Sequence, residues 1–378
     1  MQSFPSSEPQ SLKRNQPFFL SNSRKRWFLV SVVALALGIA INRQYYVDSL
    51  VLCRLHSLGA QVHFQTDPSW SAFFGGKVHQ RIHVDFSGTG VGDDDLWWLG
   101  LLSDIQGLHL NETSITDRGL PRLIGFRELT ELELAHTTVT DDGLAILYHF
   151  PKLESLNLEA VRIKGLGLRS LTGCRRLSRL NLKGTLLDDQ GLQQIGQLPF
   201  AALCERLDLA GTPVSGTGFE SWPVSAKLIE VNLSGTKLED LTTDRLQRFP
   251  ELAILDVSET LITDSGISNL GPLKHLRTLV LSRTAVTNAA VESLAACPEL
   301  ATLSLSQTRI SDDVVKGLVK LSALEELFCD HTALTDACVS GLLELENLEA
   351  LSVEGTGISG PGLDRLRNRF PGLRPELR

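Results

Sequence analysis

Along most of this chain, apolar and polar positions recur in a fixed frame. A leucine-like residue is followed two positions later by another apolar residue and five positions later, almost always, by threonine. The leading residues are Val84, Leu108, Leu132, Leu156, Leu180, Leu207, Val231, Leu255, Leu279, Leu303, Leu327 and Leu351. Every step is 24 residues except Leu180 to Leu207, which is 27. A repeat sustained over this length predicts one elongated stacked body rather than several globular domains, because each unit has an apolar face that only the next unit can cover.

Two periodicities are spliced within each unit. Positions 0 and +2 alternate with polar residues, the pattern of a strand with one buried face. Positions +12, +15 and +18 form a helical stripe, and Thr or Ser at +8, as at Thr116, Thr263 and Ser359, is placed to cap that helix. Aspartate at +9, as at Asp117, Asp189 and Asp264, falls in the first helical turn, where the helix dipole favours a carboxylate. Pairs such as Asp141 with Asp142 and Asp312 with Asp313 are therefore read as helix starts rather than acid–base or metal sites. Threonine at +5 occupies eleven units, with Val161 the exception. Its hydroxyl is expected to satisfy a backbone group left open by the turn, while its methyl packs inward.

This frame resembles the leucine-rich repeat family over about residues 82–378. The stretches Ile115-Thr-Asp-Arg-Gly-Leu120 and Ile262-Thr-Asp-Ser-Gly-Ile267, with Cys174 and Cys297, are similar to the cysteine-containing, ribonuclease-inhibitor-like subclass. Threonine at +5 behind an N-terminal apolar segment is similar to predicted bacterial membrane-anchored leucine-rich repeat proteins. The resemblance implies an α/β fold, a right-handed horseshoe solenoid with parallel strands concave and helices convex. Strands ~4.8 Å apart and helices 8–10 Å apart, stacked side by side, would impose that curve. Some members of the subclass are substrate receptors of ubiquitin ligases, which supplies an alternative function. Those carry an F-box ahead of the repeats, and residues 1–80 show no convincing one.

The predicted order is a basic, disordered segment 1–26, an anchor or signal segment 27–46, an N-terminal cap 47–81 and a twelve-repeat solenoid 82–378 with its own C-terminal cap. The first cap is expected to hold a helix near Val47–Leu58, a strand at Ala60–Phe64 and Trp70, Phe73 and Phe74 as filler. Trp97 and Trp98 are expected to pack there, or else to anchor a partner or the membrane interface. Phe370, Leu373 and Leu377 are expected to close the other end.

The apolar run Trp27–Ile41 is 15 residues long, shorter than the ~20 that span hydrocarbon. Trp27 and the Tyr45–Tyr46 pair bracket it, and aromatic residues favour membrane interfaces. Five basic residues precede the run, against Arg43 and Arg54 after it, which orients the N-terminus inward and the repeats outward. An uncleaved single-pass anchor is the favoured reading. Cleavage after Ala40 would instead release a secreted protein.

Beyond residue 43 the chain holds 30 basic and 43 acidic residues. That balance argues against nucleic acid as a partner, since phosphate contacts need clustered cations. Of six cysteines, Cys174, Cys297, Cys329 and Cys338 fall on repeat positions and read as small buried hydrophobes. No catalytic motif, cofactor motif or metal-ligand spacing is recognised, so the chain reads as a non-enzyme without cofactors.

Strand residues at −1, +1 and +3 should point out of the sheet face, the default binding surface of an open solenoid. There the acids Glu131, Glu133 and Glu159 abut the bases Arg179, Lys183 and Arg206, with Asp208 and Asp256 further along. Ile254, Val280 and Phe328 are expected to be exposed apolar contacts. Together they predict capture of a protein or peptide on the concave face.

Overall fold

The computed structural model describes residues 51, 53–66, 80–102, 105–224, 227–271 and 273–370. The Trp27–Ile41 segment, the basic N-terminus, Trp70, Phe73, Phe74, Leu373 and Leu377 lie outside the described residues. Among those described, no helix is long and apolar enough to cross a membrane.

Each leading apolar residue sits on a short strand. These are β2 (Gln80–Asp85), β3 (Ile105–His109), β4 (Glu131–Glu133), β5 (Ser155–Asn157), β6 (Arg179–Asn181) and β7 (Arg206–Asp208). There follow β8 (Glu230–Asn232), β9 (Ile254–Asp256), β10 (Thr278–Val280), β11 (Thr302–Ser304), β12 (Glu326–Phe328) and β13 (Ala350–Ser352). They pair in chain order as a parallel sheet, with leading residue opposite leading residue from β2 to β13. Strand β1 (Gln61–Thr66) adds to the first edge antiparallel to β2, close to the expected cap strand, and residues 53–57 before it are helical. The leading and +2 residues of the units are buried almost without exception to within a few per cent. The architecture is an α/β solenoid, with helical returns opposite the sheet.

Those returns are shorter than the apolar stripe suggests. Full α-turns form at Asp189–Gly196, Asp264–Leu270, Asn288–Ser293 and Gly360–Arg369, whereas Gly143–His149 and Gly167–Gly173 are 3-10 segments. A unit of this length leaves few residues between the two turns, so the tighter helix completes the return.

The chain reverses after each strand through a left-handed residue at +4. All twelve such positions have positive φ; five are glycine, and seven, including His136, Ala160 and His331, are not. His136 and His331 are thus turn residues, as expected. Threonine at +5 then does what the frame predicts. In all eleven units its Oγ1 donates to the carbonyl of the +2 residue, at 2.6–2.8 Å. At Val161 the backbone N–H alone reaches that carbonyl, Leu158 O, at 3.2 Å.

The +9 aspartates act differently from expectation. Rather than serving only their own helix, eight of them accept the backbone N–H at or next to +8 of the following unit, from Asp93 to Thr116 through Asp336 to Ser359. Asp264 is typical: Oδ1 accepts from Thr287 N at 2.7 Å and Oδ2 from Thr287 Oγ1 at 2.7 Å. Asn288 substitutes in the next interface, accepting from Ser311 N at 2.9 Å. The capping hydroxyl therefore serves two partners, since Thr263, Thr287 and Thr335 also accept an N–H from their own first turn.

The 27-residue unit has a packing explanation. Its extra turn, Pro199–Ala202, places Phe200 edge-on to Trp222, which also meets Phe219 and Phe249. Trp222 is buried, with Nε1 donating to Leu192 O at 3.2 Å. Gly196 leaves room for it, because a Cβ there would lie 2.4 Å from the indole. The cysteines at repeat positions are buried as expected, and no disulfide forms among the described residues.

Thr260 tests the threonine ladder. Among the described residues only its Oγ1 reaches the Val257 carbonyl, so Thr260→Val should cost about 1–3 kcal/mol through an unsatisfied buried acceptor. A lowered thermal midpoint is expected; an unchanged midpoint would show that the ladder contributes nothing.

Candidate functional site

The open face of the sheet is built from three columns of side chains, and the +1 column has a structural role. At +1, an Asn or Asp oxygen accepts the N–H two residues on. Asn157, Asn181, Asp208, Asn232 and Asp256 do so at 2.9–3.0 Å. This turn bond satisfies a backbone group as the strand ends, so part of the acidic column is architecture. Asp256 is the extreme case, its Oδ1 accepting from both Ser258 N and Ser258 Oγ.

Strands β5 to β8 frame a hollow of about 270 Å³ lined by Arg179, Arg206, Asn181, Asp208, Glu230 and Glu133, among others. Register places Arg179 directly beside Arg206, an arrangement of like charges that costs stability. Arg206 is partly compensated, its Nε 3.5 Å from Glu230 Oε2. Arg179 is exposed and has no ion pair among the described residues. On the hollow floor, burial pushes the half-buried Asp208 carboxyl above its ordinary range, against the opposing pull of the Ala210 N–H and the Lys183 charge.

The remaining predicted residues divide. Lys183 and Glu159 neutralise each other at 2.9 Å, and the hydrogen bond from Lys183 to Glu159 raises the ammonium pKa. Glu133 accepts from Asn111 Nδ2, and Glu131 lies against His109. Ile254 is exposed, but Val280 and Phe328 are half-buried. Phe328 stands between Ser304 and Ser352 in register, and neighbours a strand spacing away cover part of the ring. All three thus keep part of their surface on the open face, Ile254 the most clearly at 37% exposed. Asn157, Asn181 and Asn232 were legible in the +1 column; the proximity of His83 to Glu131 was not, because it crosses two strands.

Trp97 and Trp98 stack on each other with ring centroids 3.9 Å apart, and Trp97 is about half exposed. Their expected contacts with Phe73 and Phe74 lie outside the described residues, as do most of residues 1–80, on which the ligase-receptor alternative depends.

A leucine-rich repeat family model matches residues 127–145. Among solved structures, an internalin from Listeria monocytogenes is similar with a TM-score of 0.60 and 19% identity, covering 78% of this chain and 86% of that one. A leucine-rich repeat protein of Leptospira interrogans is similar at a TM-score of 0.49 and 17% identity, over 74% of this chain and 79% of the other. No curated protein matches. The repeat frame, the sheet and the internalin likeness together define a leucine-rich repeat solenoid.

Proposed function

We propose that this chain is a non-catalytic interaction scaffold that captures a carboxylate-bearing segment of a protein or peptide on its sheet face. Arg179 is the anchor and Arg206 the adjacent second contact. The observation that carries this reading is the in-register pair of arginines over the β5–β8 hollow, one of them without an ion pair among the described residues. Guanidinium groups bind carboxylates in forked geometry, and a ligand carboxylate would relieve the repulsion that the free pair sustains. Chemistry at the hollow is disfavoured by prior engagement of its central carboxylates: Asp208 closes a turn and Glu230 faces Arg206. Burial holds the thiols of Cys174 and Cys204 at about 12, far from nucleophilic use near neutral pH.

Membrane tethering through Trp27–Ile41, with the repeats outside the cytoplasm, completes the proposal and rests on that segment's flanks and charge. The similarity to an internalin supports the fold alone.

Random-peptide selection on the full chain should enrich sequences rich in Asp and Glu. Arg179→Glu with Arg206→Glu should weaken the selected peptides at least tenfold, about 1.4 kcal/mol, without lowering the thermal midpoint. Enrichment of uncharged peptides, or unchanged affinity in the double variant, would contradict the site. For the tether, a C-terminal tag should be removed by protease added to intact cells while the chain stays in the carbonate-washed membrane fraction. A protected tag, or release by the wash, would contradict anchorage with the repeats outside.

A further inference from the structure

At the first edge of the parallel sheet, strands β2, β3 and β4 bring two histidines and three carboxylates onto the open face. Register aligns His83 with Gly107 and Glu131, and Asp85 with His109 and Glu133. The sequence frame scattered these residues over two columns and three units, and none has a metal-binding spacing along the chain.

Their geometry is that of a ligand set. His109 Nε2 lies 3.4 Å from Glu131 Oε2, close to the ~3.3 Å that separates two ligands on a tetrahedral zinc ion with bonds of about 2.0 Å. One ligand atom from each of His109, Glu131 and Glu133 can be chosen so that all lie within 4.8 Å of one another. Among the described residues, His109 Nε2 is sealed from solvent and has no hydrogen-bond partner. A histidine that simply paired with a carboxylate would turn this N–H onto the oxygen beside it; here the two atoms are near but not aligned for that bond.

The surroundings hold the set in place. His109 Nδ1 lies 3.9 Å from both Asp85 Oδ2 and Glu133 Oε2, and Asp85 takes the outer carboxylate position that orients a metal-bound imidazole. Asn111 donates through Nδ2 to Glu133, and its Oδ1 accepts from Ala135 N at 2.9 Å. His83 Nδ1 lies 3.9 Å from the same Glu131 oxygen. Its ring rests over Gly107, where a Cβ would sit 2.0 Å from Nδ1, so any side chain at that position would push the imidazole away from the cluster.

We propose that His109, Glu131 and Glu133 bind a zinc-like divalent transition-metal ion on the sheet face, with His83, beside Glu131, able to swing in as a fourth donor and Asp85 and Asn111 as orienting residues. Mixed imidazole and carboxylate donors suit zinc and its neighbours, while calcium and magnesium prefer oxygen alone. On an open face, a three- or four-donor set leaves the ion reachable from solvent. The site adjoins the arginine hollow, with Glu133 lining both, but it stands without the peptide-binding reading.

The test is isothermal titration of the chelator-stripped, detergent-solubilised full chain with zinc chloride, repeated with cobalt(II) to read the visible absorption of a bound ion. One zinc per chain is expected, with affinity reduced at least about tenfold in His109→Gln with Glu131→Gln and weakened again in Gly107→Ala. These side chains lie on the open face, and unchanged circular dichroism confirms that the variants fold. Absence of saturable zinc binding by the native chain would overturn the proposal. So would binding of equal stoichiometry and affinity in the double variant, or calcium binding as tight as zinc, which would mark carboxylates acting without the imidazoles.

Discussion

Parallel pairing of one short strand on the next is the contact on which the rest of this protein depends. A unit of 24 residues cannot bury its own leucines, and its strand has only three or so residues with which to hold a neighbour. Strand pairing alone would leave the helical side free to splay. The second fastening is the +9 carboxylate, which reaches into the next unit and binds its capping residue, as Asp264 binds Thr287. Sheet and helical return are thus tied to the following unit by separate sets of hydrogen bonds. Where glycine replaces aspartate, at Gly165 and Gly216, its own N–H is taken by the preceding unit's aspartate, and at the next interface Thr242 Oγ1 donates to Ser215 O instead.

Much of this was readable from the residues, and the part that was not has a common cause. Offsets within a unit obey local rules: alternation marks the strand, and threonine at +5 finds the carbonyl three residues back. Contacts between units follow the stack, where positions 22 to 24 apart become neighbours. Asp264 looked like a dipole-compensating residue because its partner, Thr287, lies in the next unit. Asp208 and Asp256 looked like an acidic binding face because the N–H groups they accept are invisible in composition. Phe328 is partly covered by residues of the neighbouring strands, which its own unit does not reveal. The cluster of His83, His109 and Glu131 escaped notice for the same reason.

The irregularities sort into those the core explains and those it does not. The longer unit before Leu207 holds Phe200 against Trp222, and Val161 retains the backbone bond that its threonine neighbours reinforce. Packing offers no such reason for Arg179 beside Arg206, or for two imidazoles around Glu131. Both lie on the open face, and both place charge or lone pairs where a stable scaffold would avoid them. A solenoid repeats its solution to folding in every unit, so departures that cost stability are where its binding chemistry becomes visible.

On the proposed reading, the open sheet face between β5 and β8 is the recognition surface, with Arg179 as its anchor. A crystal structure of the chain with a selected acidic peptide tests this most directly. A peptide carboxylate is expected within hydrogen-bond distance of the Arg179 guanidinium, with Arg206 alongside. A peptide seated on the helical side, or on the sheet face without contact to Arg179, would contradict it.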